Sequence, residues 1–265
     1  MKDTRIRQRL GSWLRRWGPP LLPVVAFLLL WEAVSRAKVV NPLLFPPPTQ
    51  VWRAFCEWFS GGEFWRDVRT SCARMLVGLL FGGTIGTTLG MLTGRSRLAN
   101  ACLSPLVQLL RPLPPVAIIP LVIVWLGIGN TAKIFSIAFA VFFPVWVNTH
   151  LGAAAIPTAY LWSARLLSKS RIRTAWRVLL PAAFPSIFAG LRVSISMAFI
   201  MVYVSEIAGA SAGIGYQISV CHLAYRIDKM MAALAVLAAA GALADFLFAA
   251  GARLAFPWMR KATTR

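Results

Sequence analysis

The apolar residues of this chain come in long blocks rather than as one face of a periodic helix or strand, and short polar breaks separate them. A bilayer core of ~30 Å asks for ~20 mostly apolar residues per crossing helix. Six blocks approach or meet that demand: Gly18 to about Ser35, Met75–Thr93, residues 98–127, Ile134–Ala154, Ala182–Ala208 and Met230 to about Leu254. The pattern predicts an all-α polytopic membrane protein with six transmembrane helices. Ser35 and Ala37 offer small residues before a cleavage site, but more spans follow and Glu32 fits a signal peptide poorly, so the first block reads as an uncleaved helix.

The breaks carry their own signals. Asn41-Pro42 and Pro46-Pro47-Pro48 mark an extended loop, after which Thr49–Phe59 reads as a short amphipathic helix. The second block places Gly78, Gly82, Gly86 and Gly90 at steps of four, a small-residue stripe that lets another helix approach closely. Pro105, Pro112, Pro114, Pro115 and Pro120 make the third span irregular, which a membrane helix tolerates where protein or water re-satisfies its backbone. Residues 209–228 read as a glycine-containing loop.

Composition agrees with the blocks: 58% of the 265 residues are hydrophobic and only 14% charged, too few to cover a soluble domain of this size. The net charge of +20 would suit a nucleic-acid binder if the basic residues lay on a soluble fold. They lie instead between apolar blocks, so no nucleic-acid partner is expected. With the N-terminus inside, the inside segments hold 17 Lys and Arg and the outside segments nine. The positive-inside rule therefore puts both termini, the basic segments 1–17 and 256–265, and the stretch 157–181 in the cytoplasm, with residues 18–255 as the membrane domain. Cys56, Cys72, Cys102 and Cys221 have no metal spacing; Cys56 and Cys221 could both face outward, where a disulfide is conceivable. His150 and His222 are isolated, no nucleophile–base pair stands out, and no GxxxxGK[ST] phosphate loop occurs. The expectation is a protein that is not an enzyme, with no metal and no cofactor of its own.

The stretch 157–181, PTAYLWSARLLSKSRIRTAWRVLLP, contains no acidic residue. Arg165, Lys169, Arg173 and Arg177 recur every four residues and would form one basic stripe on a continuous helix, facing anionic headgroups or a second protein. Leu161, Ala164 and Leu167 give a narrow apolar edge, enough to fill a groove on a partner. This segment resembles the cytoplasmic coupling loop, often called the EAA loop, of ABC importer permeases. Leu180-Pro181 matches the loop's ending, Ala164-Arg165 with Leu167 its middle, and Pro185, Gly190, Leu191 and Arg192 the start of the next span. Trp162 stands where the family has Glu, Ser163 replaces the first Ala of the triplet, and Ser168 replaces the Gly. Arg111-Pro-Leu-Pro-Pro115, Ala117, Ile119-Pro120, Trp125-Leu-Gly127-Ile-Gly129, and Glu206 followed by Gly209, Gly213, Ile214, Gly215 and Tyr216 resemble the branch that imports nitrate, sulfonates, taurine or bicarbonate.

The resemblance implies type I ABC importer permease architecture in a bacterial inner membrane. It implies a second permease chain as partner, in a homodimer, with cytoplasmic ATPase subunits that use the ATP and an extracytoplasmic solute-binding protein that delivers a small anionic or zwitterionic solute. It also implies an ATPase-coupling interface at Tyr160, Leu161, Ser163, Ala164, Leu167, Ser168 and Lys169. Glu206, near the outer end of the fifth span, with Gly209 after it, is a candidate for the translocation path or gate, or else a structural partner for an outer-loop group, since intramembrane charges usually face the bundle interior. Arg192 is expected to meet a headgroup or a carbonyl. One rival reading is a secondary transporter or other polytopic membrane protein not driven by ATP; a secondary transporter would need coupling acids near the bilayer midplane or inverted repeats, whereas Asp245 is the one acid near a midplane and no repeat relates the halves. A second rival, a membrane-embedded enzyme, would need a cluster of polar residues in the spans, and none stands out.

Overall fold

The computed structural model describes residues 22–38, 40–160, 162 and 170–255. The basic segments 1–17 and 256–265 and the beginning of the first apolar block lie outside the described residues. Helix α1 covers 22–36. It is followed by α2 (Pro48–Ser60), α3 (Glu63–Arg95), α4 (Arg97–Leu110), α5 (Ile119–Leu126), α6 (Asn130–Ala154), α7 (Leu180–Ile207), α8 (Ile214–Leu223) and α9 (Ile227–Ala255). Among the described residues, four helices are long and apolar enough to cross a membrane, beginning at Glu63, Asn130, Trp176 and Ile227.

The second, fourth, fifth and sixth predicted blocks are thus each one helix, and longer than their apolar cores. The 33 residues of α3 span ~50 Å at 1.5 Å per residue, more than the hydrocarbon thickness. The third block differs from the single irregular span expected. Its helices α4 and α5 meet at 87° across a break at Arg111–Pro114. Pro112, Pro114 and Pro115 remove three of four consecutive N–H donors for i→i−4 hydrogen bonds, so the chain turns instead of continuing. The expected loop 209–228 likewise contains a helix, α8, which opens at Gly213 and ends before Tyr225.

Parallel packing of α3 on α6 and antiparallel packing of α6 on α7 form the centre of the bundle. The glycine stripe makes the first contact. A Cβ at Gly78 would stand 2.5 Å from Ile137 Cγ2, one at Gly90 2.6 Å from Thr149 Cβ, and one at Gly82 would run into the backbone of Ala138. Gly94 continues the stripe one turn beyond the four glycines noted in the sequence, where a Cβ would lie 2.7 Å from the carbonyl of His150. Gly190 plays the same part for α7, whose backbone approaches Pro144 and Val145 of α6. Ile137, Val141, Val145, Ile195, Ala198 and Val202 fill the core between them.

Polar groups secure the ends. Arg95 donates to the carbonyls of Ala153 and Ile156 at 3.3 Å each, closing the C-terminus of α6 where four carbonyls lack intrahelical partners. Glu32 of α1 accepts from the backbone N–H (3.1 Å) and hydroxyl (2.9 Å) of Thr49, at the N-terminus of α2, where a carboxylate meets the positive end of the helix dipole. The residue that sits poorly in a signal peptide therefore caps the following helix. Arg192 meets a carboxylate and no carbonyl among the described residues: its Nε and Nη2 donate to the two carboxylate oxygens of Asp245 on α9, each at 2.9 Å. All four cysteines are free, and Cys221 is buried while Cys56 is exposed.

Candidate functional site

Two regions singled out by sequence lie at opposite ends of the bundle. The end where α3 and α6 begin and α7 finishes holds Glu206. The other end holds the connection from α6 to α7.

The first turns of α3 place Asp67, Ser71 and Arg74 at spacings of four and three, on one face of the helix. That face meets the last turn of α7. Glu206 is 1% exposed there. Arg74 Nη1 donates to its Oε1 at 2.7 Å, the Ser71 hydroxyl lies 2.8 Å from both carboxylate oxygens, and the Gly215 N–H donates to Oε2 at 2.8 Å. The Ile214 N–H donates to Ser71 Oγ at 2.8 Å and the Gly213 N–H to Asp67 Oδ1 at 3.0 Å. Three consecutive N–H groups at the start of α8 are therefore taken by two carboxylates and a hydroxyl, the charge type that a helix N-terminus favours. Arg74 also donates to Asn130 Oδ1 (2.9 Å) and to the Ala212 carbonyl (2.8 Å). Lys133 of α6, 5% exposed, donates to the carbonyls of Gly209 (3.2 Å) and Gly129 (3.3 Å).

The glycines after Glu206 have distinct physical reasons. Gly213 has φ +130° and a Cβ there would lie 2.5 Å from the Glu206 carboxylate; Gly209 has φ +89°. Both are backbone conformations that L side chains rarely adopt. The cluster thus joins α3, α6, α7 and α8 through two buried acids and two buried cations. It offers no nucleophile poised on a base, and no group of three His, Cys, Asp or Glu able to hold a metal occurs among the described residues. Its geometry suits holding the α7–α8 connection. Sequence reasoning found Glu206 and Gly209 but missed Asp67, Ser71, Arg74 and Lys133. The i, i+4, i+7 spacing of the first three, immediately before the apolar block, was the available signal.

At the opposite end, Leu161, Ser163, Ala164, Leu167, Ser168 and Lys169 lie outside the described residues. Tyr160 closes a short helical turn after Pro157 and is exposed, as is Trp162. Ser170 is not helical; Arg171–Thr174 form one helical turn, and Ala175–Leu179 a π-helical turn that leads into α7. The condition for one basic stripe, a continuous regular helix, does not hold across Ser170 and the π turn. Arg173 and Arg177 are both exposed. Tyr160, Arg177, Val178, Ala182 and Ser186 line a groove of about 600 Å³ beside Gly152 and Pro157.

Comparison with known proteins fits this arrangement. Residues 86–261 match the model of the family described as binding-protein-dependent transport system inner membrane component. The SsuC permease protein of Bacillus subtilis, whose name assigns it aliphatic sulfonates, is 31% identical over 91% of this chain and 87% of its own. The taurine transport system permease protein TauC of Escherichia coli is 29% identical over 96% and 97%. The bicarbonate transport system permease protein CmpB of Synechocystis is 30% identical over 88% of each. A chain of the MetNI methionine ABC transporter, solved in inward-facing conformations, superposes with a TM-score of 0.58 at 23% identity, over 77% of this chain and 97% of that one, and shows the same fold. The chain belongs to the family of binding-protein-dependent transport system inner membrane components, as an ABC transporter permease of the sulfonate, taurine and bicarbonate branch.

Proposed function

We propose that this chain forms the translocation path for a small oxyanion and is driven by a separate cytoplasmic ATPase that docks on residues 157–181. The single observation that carries the reading is the family match over residues 86–261, which includes that connection. The names of the relatives supply the solute class: sulfonates, taurine and bicarbonate each carry a compact oxyanion group. A second copy of the chain completes the path, and an extracytoplasmic binding protein delivers the solute. The 157–181 connection is cytoplasmic, which places the Glu206 cluster on the outer side. ATP-driven closure of the ATPase dimer moves the connection and rocks the packed helices between two arrangements, a rigid-body switch. Glu206 and Gly209 serve the gate by anchoring the outer connection between α7 and α8.

The coupling interface is tested by bulk against charge. Ser163, Ala164 and Ser168 are small residues that allow close approach to a partner's groove. Ala164→Trp is expected to abolish co-purification of the ATPase and solute-stimulated ATP hydrolysis, while Lys169→Ala is expected to be milder. An Ala164→Trp permease that keeps both would remove the loop from the coupling role. Orientation is tested in a cysteine-free background carrying Ser60→Cys at the exposed end of α2. Labelling by an impermeant thiol reagent from outside is expected; labelling only from the cytoplasm contradicts the assignment.

A further inference from the structure

Arg192 and Asp245 make a charged pair at a depth where a membrane protein rarely exposes one. Arg192 lies twelve residues from the start of α7 at Leu180 and fifteen from its end at Ile207. At 1.5 Å per residue those distances are ~18 and ~22 Å, so the residue sits near the middle of a crossing helix. Its guanidinium cannot reach up to a headgroup, because Nε and Nη2 are held sideways against both oxygens of Asp245. Yet the two side chains are 51% and 36% exposed. A charged pair facing hydrocarbon is costly, and intramembrane charges face a bundle interior or a water-filled cavity. The buried Arg74–Glu206 pair meets that condition within the chain; Arg192–Asp245 does not.

The surroundings point the same way. A Cβ at Gly83 of α3 would stand 2.9 Å from Leu191, so α3 near Gly83 is level with Arg192. On that stretch of α3, Thr84, Thr87 and Thr88 add hydroxyls to an otherwise mainly apolar groove of about 550 Å³, which Leu191, the neighbour of Arg192, and Phe248, one turn along α9 from Asp245, also line. Ser196, one turn above Arg192, is also exposed. Threonine and serine hydroxyls and a half-exposed ion pair thus lie near one level of the bundle, on a face of α7 that also exposes Val193 and Met197. Arg192 Nη1, meanwhile, receives no acceptor among the described residues.

Building on the permease reading, we infer that Arg192 is a contact for the anionic group of the solute within the water-filled path, and that Asp245 positions it. The bidentate bond to Asp245 fixes the guanidinium plane and leaves Nη1 to donate to one solute oxygen. The carboxylate also offsets the charge, so the anion is held weakly enough to leave, which conduction through a path requires.

The test uses the complete complex with its ATPase and binding protein in proteoliposomes. The probe is whichever of taurine, ethanesulfonate and bicarbonate the wild type takes up with ATP. Arg192→Gln combined with Asp245→Asn keeps two neutral, hydrogen-bonding side chains and removes the charged pair. Uptake by this double variant is expected to fall about tenfold or more, the loss of one charge-assisted contact, with yield and ATP hydrolysis near wild type. Arg192→Lys is expected to retain part of the uptake. Cysteine at Ser196 is expected to react with a charged methanethiosulfonate, which needs a water-exposed thiolate, and the probe anion is expected to slow that reaction. Wild-type uptake in the double variant overturns the inference, because the pair would then be only structural. So does a Ser196→Cys protein unreactive in both nucleotide-free and ATP-trapped states, because that face would be closed by lipid or by the second copy. In either case the permease reading stands so long as wild-type uptake requires ATP; if it does not, that reading fails first.

Discussion

Arg74 and Glu206 are the residue pair on which the α7–α8 end of the bundle turns. Both are buried, 2.7 Å apart, and each has further partners, so hydrogen bonds offset part of the cost of removing them from water. Removing one member leaves the other charged and unpaired. Arg74→Ala and Glu206→Ala are each expected to destabilise the protein by about 3–5 kcal/mol, with the double variant losing much less than the sum. Thermal unfolding of the detergent-solubilised protein checks this; additive losses would mean that the two do not act together. Glu206 stood out in the sequence because a lone acid beside an apolar block is conspicuous. Arg74 did not, because a cation at the edge of a block fits an ordinary interfacial anchor equally well. Its partner is 132 residues away, and no local spacing encodes that distance.

Element boundaries were legible to the extent that hydrophobicity decides them. The glycine stripe of α3 was read correctly as packing, since steps of four on one apolar helix leave few other uses. The 87° break between α4 and α5 was not, because prolines announce irregularity without saying whether a helix kinks or turns back. Helix α8 was missed for a related reason: its glycine-rich approach looks like a loop, and the groups that cap it come from α3 and α7. The stripe makes a graded prediction. Gly82→Ala drives a Cβ into the Ala138 backbone and is expected to prevent α3 from seating on α6, visible as loss of monodisperse protein. Gly251→Ala, in α9 with nothing within 4 Å of the added Cβ, is expected to be neutral or to stabilise by about 0.5–1 kcal/mol, as alanine does in a helix interior. Equal behaviour of the two variants would refute close packing as the reason for the stripe.

The whole molecule is organised around two ends with different tasks. One is locked by buried ions that hold α3, α6, α7 and α8 together. The other carries the 157–181 connection, with exposed aromatic and basic side chains at Tyr160, Trp162, Arg173 and Arg177. A packed centre between that locked end and the end that carries the α6–α7 connection suits a body that is pushed as a unit. The alternative of gradient-driven transport places its coupling ions at acids deep in the bundle; here Glu206 is saturated by partners, Asp245 is paired with Arg192, and Asp67 is held through one oxygen by the Gly213 N–H, beside Arg66. The most direct measurement is uptake into proteoliposomes holding this chain with its ATPase and binding protein, with ATP and ion gradients varied separately. The account predicts oxyanion accumulation that requires internal or external ATP on the ATPase side, stops with a non-hydrolysable analogue, and is unchanged by a protonophore. Accumulation by the permease alone, driven by a proton or sodium gradient without ATP, would contradict it.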